Sequence, residues 1–230
     1  MTRMHYTLET KNDRCEVTLR PGLLLLAGYT GRDTAAVAAH IEELAGHGIA
    51  PPERVPSVFA VSGNRLTTAE RIEVIGDRTA GEAEFVLFQA DGEVLVGVGS
   101  DHTDRELEAN NVVKAKQACE KPVGATLWPL SELEGHWDEL LLRAQVRTDQ
   151  GWRSYQDGSV AEMLAPRALL AEVAGRVGET APHAVFSGTI PIIGGEFGYG
   201  NGFRVTLEDP VLGRSLHCEY GIRSLPESSL

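Results

Sequence analysis

The sequence predicts an α+β chain that is mainly β. Two observations carry this. Short apolar or alternating runs, bounded by Gly, Pro, Asn and Asp, recur along the whole length, and only three stretches carry helix signals. The 25 glycines are spread throughout, as turns between many short strands require.

Strands are expected first at residues 6–9, 15–19 and 23–27, separated by Lys-Asn-Asp and Pro-Gly turns. A helix follows, with Thr34 as N-cap and Gly46 or Gly48 as its stop. Val37, Ile41 and Leu44 then share one buried face, at spacings of four and three. Beyond the Pro51-Pro52 turn, strands are expected at 57–61, 71–75, 82–88 and 93–100. One helix is expected over 105–119, ending before Pro122, and another over 166–177, with Pro at its first turn and Gly178 beyond. Strands at 203–208 and 215–222 close the chain around the turn Asp209 to Gly213.

At 230 residues one large domain, 1–230, is expected. A formal charge of −12 and a pI near 5.0 argue against nucleic-acid and anionic-membrane partners, which need basic patches. The N-terminal MTRMHYTLET reads as no signal peptide, and the apolar run 23–27 is too short to span a bilayer. A cytoplasmic location is therefore expected. Cys15, Cys119 and Cys218 are widely spaced and suggest neither a disulfide framework nor a CxxC site; each is expected to be a buried small hydrophobe.

Residues 81–105, GEAEFVLFQADGEVLVGVGSDHTDR, are the most informative stretch. Asp91-Gly92 is a two-residue hairpin signal between alternating runs. With that turn, Glu82 faces Asp101 and Glu84 faces Gly99. One face then carries Glu82, Glu84, Val86 and Phe88 against Asp101, Gly99, Gly97 and Leu95. The other, with Ala83, Phe85 and Leu87 against Ser100, Val98, Val96 and Val94, is the core face. Gly97 and Gly99 are expected to leave room above the carboxylates.

Two like charges about 4 Å apart repel by about 4 kcal/mol at an effective dielectric of about 20. Three carboxylates on one face therefore require protonation or a bridging cation. An all-oxygen site suits Mg²⁺, Mn²⁺ or Ca²⁺ over Zn²⁺. The simpler alternative is a solvated edge with well-separated acidic groups.

The same residues resemble the core of the fumarylacetoacetate hydrolase superfamily. Glu82-Ala83-Glu84 and the Asp101-x-x-x-Arg105 segment match its metal-binding motifs, and Lys116 with Pro122 its lysine before a proline-containing loop. Gln156-Asp157 with Met163, and Ser187-Gly188-Thr189 with Gly194-Gly195, follow in the family's order. The resemblance implies a mixed β-sandwich roll, with residues 1–50 as N-terminal strands and helix and 51–230 as the metal-binding core. It also implies a homodimer, a Mg²⁺ or similar ion on Glu82, Glu84 and Asp101, and a small 2-oxo or 1,3-dioxo acid substrate. The implied chemistry is hydrolysis or lysis at a C–C bond through an enolate, with decarboxylation, isomerisation or a non-catalytic binding role as alternatives. Lys116 and Arg105 would be charge partners in catalysis; Tyr29, Glu108, Gly188 and Thr189 would lie on the substrate side.

Departures from the pattern are clear. Glu108 stands where relatives often carry Gln, and Gly28-Tyr29-Thr30-Gly31-Arg32 has no water-activating His where the hydrolytic relatives have one. His40 and Glu43, three apart on the first helix, are the available pair, although two polar residues on a solvated helix face is the simpler account. Arg105 could clamp a substrate carboxylate or pair with Glu108 or Asp101. Lys114 is near enough to be confused with Lys116. His102 is expected to be a hydrogen-bonded core residue, and the three tryptophans packing residues.

Overall fold

The computed structural model describes residues 3–46, 51–90, 92–177 and 183–228. An eight-stranded mixed sheet contains β1 (Met4–Glu9), β2 (Arg14–Leu19), β3 (Leu23–Gly28), β4 (Ser57–Ser62), β8 (Ala83–Ala90), β9 (Glu93–Ser100), β12 (Thr126–Pro129) and β15 (His183–Phe186). Its order is β2-β1-β12-β9-β8-β15-β3-β4. A five-stranded sheet, in the order β14-β13-β16-β17-β6, is built from β6 (Arg71–Ile75), β13 (Leu141–Thr148), β14 (Gly151–Ser159), β16 (Gly202–Asp209) and β17 (Arg214–Leu225). Two short pairs join β5 (Leu66–Thr67) to β11 (Lys121–Pro122) and β7 (Thr79–Ala80) to β10 (Thr103–Asp104). The helices are α1 (Thr34–Gly46), α2 (Arg105–Glu108), α3 (Val112–Ala118) and α4 (Pro166–Val177).

The β8–β9 hairpin has the register its Asp-Gly turn predicts. Ala90 pairs with Glu93, Glu84 with Gly99 and Ala83 with Ser100; Asp91 itself lies outside the described residues. Ala83, Phe85, Leu87, Val96 and Val98 face the main core, shared with Trp137 and with Leu142, Phe203 and Tyr220 of the five-stranded sheet.

The opposite face departs from expectation. Val86, Phe88 and Leu95 form a second core with Tyr6, Leu24, Leu26, Leu127 and Phe186. The hairpin is central in its sheet and buried on both faces, so period-two alternation marks which core a residue joins. Nor do the glycines leave open room. A Cβ on Gly97 would lie 2.8 Å from Leu127 Cδ2, and one on Gly99 would lie 2.6 Å from the Pro122 carbonyl oxygen. Gly99 lets β11 approach the hairpin backbone, which a side chain would prevent.

Three other local expectations change. Asp33 caps α1, its Oδ1 accepting from the N–H groups of Ala35 and Ala36 at 3.0 Å each; Val37 and Ile41 are only half-buried, and Leu44's side chain lies outside the described residues. The single helix expected over 105–119 is two. Asp104 caps α2 through Leu107 N–H at 2.9 Å, and Asn111 caps α3 through Lys114 N–H at 2.9 Å. Residues 110–111 thus restart the helix in a new direction, because an Asn side chain satisfies the amides of a fresh first turn. Finally, Cys119 and Cys218 are buried and Cys15 is exposed, all as free thiols. No helix among the described residues is long and apolar enough to cross a membrane.

Gly99→Ala should cost about 1–3 kcal/mol of stability, because backbone at Pro122 must move to admit the methyl group. Gly135→Ala, whose Cβ would meet nothing within 4 Å, should stay within about 0.5 kcal/mol of the parent. Urea midpoints of the two variants check this; equal midpoints would refute the close-approach role of Gly99.

Candidate metal centre

Glu82 immediately precedes β8, Glu84 lies within it, and Asp101 immediately follows β9. The hairpin ladder extends one step further, since Asp101 N–H donates to the Glu82 carbonyl at 3.1 Å. This extension brings one oxygen from each of the three carboxylates within 4.8 Å of the others, the one such group among the described residues. Glu84 and Asp101 are buried, while the Glu82 side chain keeps 18 % of its surface exposed. The solvated-edge alternative is thereby set aside.

Three cations face this cluster. Arg105 reaches Glu82 Oε1 at 3.2 Å and Glu108 Oε2 at 2.7 Å, with Phe197 stacked 4.4 Å from its guanidinium carbon. Lys116 Nζ makes a short ion pair with Asp101 Oδ2 and lies 3.5 Å from Glu82 Oε2. Lys121 Nζ reaches Asp101 Oδ1 at 3.1 Å. Arg105 opens α2 and Lys116 lies in the last turn of α3. In one continuous helix, eleven residues apart, they would be separated by about 16 Å along the axis. The break at Asn111 lets both reach the two oxygens of Glu82.

These neighbours divide the carboxylates. Burial, then the charges of Asp101 and Glu82, pushes the Glu84 pKa well above the ordinary range. Burial also opposes the charge on Asp101, but Lys116 and Lys121 outweigh it and draw its pKa down to about 2. Lys116 is likewise opposed by burial, yet Asp101 and Glu82 raise its pKa and keep it charged. Glu84 Oε2 accepts the Gly188 N–H at 3.0 Å, a neutral donor, whereas Glu82 and Asp101 hold cations. Glu84 is therefore the carboxylate a hard cation would relieve, and the all-oxygen donor set fits Mg²⁺ or Mn²⁺.

The loop after β15 closes one side. Gly188, at φ +81°, sits where a Cβ would fall 2.5 Å from Thr30 Oγ1, which itself donates to the Ser187 carbonyl at 2.7 Å. Thr189 Oγ1 donates to the Ala83 carbonyl at 2.8 Å. Buried Gln156 ties strand to loop: its Oε1 accepts from Ala83 N–H at 2.9 Å, and its Nε2 donates to Thr189 Oγ1 at 2.7 Å and the Ile190 carbonyl at 2.6 Å. As found, Gly188 N–H and Thr189 Oγ1 are both engaged within the protein. Tyr29 adopts φ 56°, a strained conformation for a bulky residue. Burial and then the Glu108 charge raise its pKa, while Lys116 opposes them.

The sequence-predicted Glu82, Glu84, Asp101, Arg105, Glu108 and Lys116 are thus brought together, and exposed Lys114 is separated from buried Lys116. His102 is a core residue, its Nδ1 3.0 Å from Tyr220 Oη and its Nε2 2.9 Å from Thr79 Oγ1; burial lowers its pKa to about 3. The side chains of His40 and Glu43 on α1 lie outside the described residues. Lys121 is the cluster member the sequence did not single out. Its signal was available: it adjoins Pro122, and Gly99 admits that segment to the hairpin.

A family model described as a protein of unknown function, DUF2848, matches residues 27–220. The chain belongs to the DUF2848 family. No curated protein sequence matches it. Among solved structures, this DUF2848 chain is similar to 2-keto-3-deoxy-D-arabinonate dehydratase complexed with magnesium and 2,5-dioxopentanoate. The TM-score is 0.62 at 16 % identity, over 94 % of this chain and 78 % of that one. It is also similar to 5-carboxymethyl-2-hydroxymuconate delta-isomerase from Mycobacterium smegmatis, with TM-score 0.61 at 15 % identity over 93 % and 82 % of the two chains. The protein Cg1458 gives TM-score 0.61 at 14 % identity over 89 % and 77 %. At these identities the likeness is one of fold, and the DUF2848 chain has the mixed β fold of the fumarylacetoacetate hydrolase superfamily.

Gln156→Leu should lower stability by about 2–4 kcal/mol, because it strands a buried amide and carbonyl that the side chain now pairs. Chemical denaturation measures the loss. An unchanged midpoint would mean that the loop is held without Gln156.

Proposed function

We propose that this protein is a Mg²⁺- or Mn²⁺-dependent lyase or isomerase acting on a small 2-oxo acid through an enolate. The observation that carries the reading is the carboxylate triad of Glu82, Glu84 and Asp101, with ligand atoms within 4.8 Å and flanked by fixed cations. Neighbours of the same fold include a dehydratase with magnesium and 2,5-dioxopentanoate and an isomerase, which supports oxo-acid chemistry without naming this substrate. Glu82, Glu84 and Asp101 would hold the ion, and when bound it supplies positive charge for chelated substrate oxygens and a developing enolate.

The chain's own groups do the rest. Arg105, locked by Glu82 and Glu108 and covered by Phe197, fixes positive charge beside Glu82 for an anionic substrate. Lys116 is held charged by Asp101 and Glu82, so its Nζ would stabilise an enolate oxygen as a fixed charge and hydrogen-bond donor, and not act as a base. Tyr29, which feels the charges of Glu108 and Lys116, and Glu108 itself would meet the substrate on this side. Gly188 and Thr189 line it, and would hydrogen-bond the acid by exchanging their present partners. Hydrolysis would in addition need a water-activating pair, for which His40 and Glu43 are the sequence candidates. Enolisation needs a proton acceptor but no water-activating pair; the partly exposed Glu108 carboxylate is the group available on this side to take the C3 proton, and this favours lyase or isomerase chemistry. A dimer, by resemblance, and a cytoplasmic location complete the proposal.

Exchange of C3 protons of 2-oxo acids in D₂O, followed by NMR, tests the shared step of these reactions. Mg²⁺- or Mn²⁺-dependent exchange is expected, abolished by chelation and reduced at least about 100-fold in Lys116→Met. Glu84→Gln should remove ion binding by calorimetry. Unchanged ion affinity in Glu84→Gln, or no exchange with any divalent ion, would overturn the assignment.

A further inference from the structure

Lys121 is fully buried, and its Nζ has three oxygen acceptors: the His102 carbonyl at 2.5 Å, Asp101 Oδ1 at 3.1 Å and the Cys119 carbonyl at 3.3 Å. An ammonium has three N–H donors and a neutral amine two, so this cage fits the charged form; burial draws the Lys121 pKa below its ordinary value, and Asp101 opposes it. Asp101 therefore carries one ammonium on each oxygen, Lys116 on Oδ2 and Lys121 on Oδ1. Lys116 already suffices to neutralise Asp101, and Lys121 makes no contact with solvent. A second buried cation on one ligand needs a reason beyond pairing.

Formal charge supplies it. With all four ionised, as ion binding requires of Glu84, the carboxylates Glu82, Glu84, Asp101 and Glu108 are faced by Arg105, Lys116 and Lys121, leaving one net negative charge; without an ion, the raised pKa of Glu84 lets a proton offset it. A divalent ion alone would leave the cluster with one net positive charge, and an anionic acid alone would leave it more negative. Bound with the ion, a singly charged acid restores neutrality and a doubly charged one such as oxalate returns the cluster to one net negative charge; either removes the excess positive charge. In a buried site such an imbalance is felt strongly, because little water screens it.

We propose that Lys121 is a positioning residue that weakens capture of the divalent ion alone and couples it to capture of the anionic oxo acid. This rests on the metal-centre reading above. A purely structural lysine would act with the opposite sign: its loss would disorder Asp101 and weaken ion binding. Loss of the charge, by contrast, removes repulsion against the ion.

Calorimetric titration of the full chain with Mn²⁺, alone and with saturating oxalate, tests this, after correction for the Mn²⁺–oxalate complex free in solution. Oxalate presents the two adjacent oxygens of a 2-oxo acid enolate. In the parent protein oxalate should tighten Mn²⁺ binding at least about tenfold, and Mn²⁺ should tighten oxalate by the same factor, as linkage requires. Lys121→Gln and Lys121→Met, checked for parental circular dichroism, should bind Mn²⁺ alone about tenfold more tightly and lose most of the oxalate enhancement. Parental Mn²⁺ binding that ignores oxalate overturns the coupling while leaving the metal centre intact. Weaker Mn²⁺ binding by folded variants overturns the role given to Lys121. Absence of Mn²⁺ binding under both conditions overturns this proposal and the metal-centre reading together. Should neither variant fold, the oxalate comparison on the parent protein decides.

Discussion

A carboxylate with no exposed surface stays ionised only where fixed positive charge surrounds it, and Asp101 is in that position. Its two oxygens are held by Lys116 and Lys121, and its backbone N–H closes the hairpin onto Glu82. One ammonium neutralises Asp101, and the second places more positive charge on the same carboxylate than pairing alone requires. Much of the surrounding architecture follows from keeping both in place. Pro122 must sit against Gly99, α3 must turn toward the hairpin, and β11 must pair with β5. The repulsion among the three carboxylates is thus partly offset by the protein itself. Charge density by itself is a weaker argument for a cation than the hairpin sequence suggests. The stronger argument is the asymmetry: Glu82 and Asp101 have cations and Glu84 has an amide N–H.

The hairpin was legible because its information is local. An Asp-Gly turn fixes register, register fixes parity, and parity puts Glu82, Glu84 and Asp101 together. The same locality explains why α4 and strands β6 and β9 have the predicted bounds. What surrounds the hairpin was not legible by the same route. The face of Gly97 and Gly99 looks empty in one strand pair, and only the third-dimensional approach of Leu127 and Pro122 fills it. Likewise, Lys121 reads as an ordinary charge beside a proline until β11 is laid against the hairpin. Capping choices fall in between: Asp33 and Thr34 both suit an N-cap, and the backbone geometry selects Asp33.

Resemblance and residue reading contributed differently to the site. Spacing alone reached the three carboxylates, and motif order added Lys116, Gly188 and Thr189. Where the structure places those last two, their polar groups serve the frame: Gly188 holds Glu84 and Thr189 holds the β8 backbone. A loop engaged in this way orients Glu84 until a bound acid takes over its donors. Gln156 is the part of this frame whose importance a motif match does not convey, since its role depends on three partners from two segments.

The broken helix shows how a local rule controls chemistry at a distance. A single helix over 105–119 satisfies the pattern of the sequence and would even place Arg105 and Lys116 on nearly the same face, since eleven residues make about three turns. Sharing a face is not enough, because the axial separation would let only one of them reach Glu82. α2 ends at Glu108 with Ala109 as its C-cap, and the extended Asn111 starts α3, its side chain accepting from Lys114 N–H. The chain changes direction there, and both cations converge on one carboxylate, Arg105 on Oε1 and Lys116 on Oε2. Glu82 is the most exposed of the three acids and is held open between these partners. The most solvated carboxylate of the triad is therefore fixed by a helix cap at Asn111, about midway between the two cations that hold it.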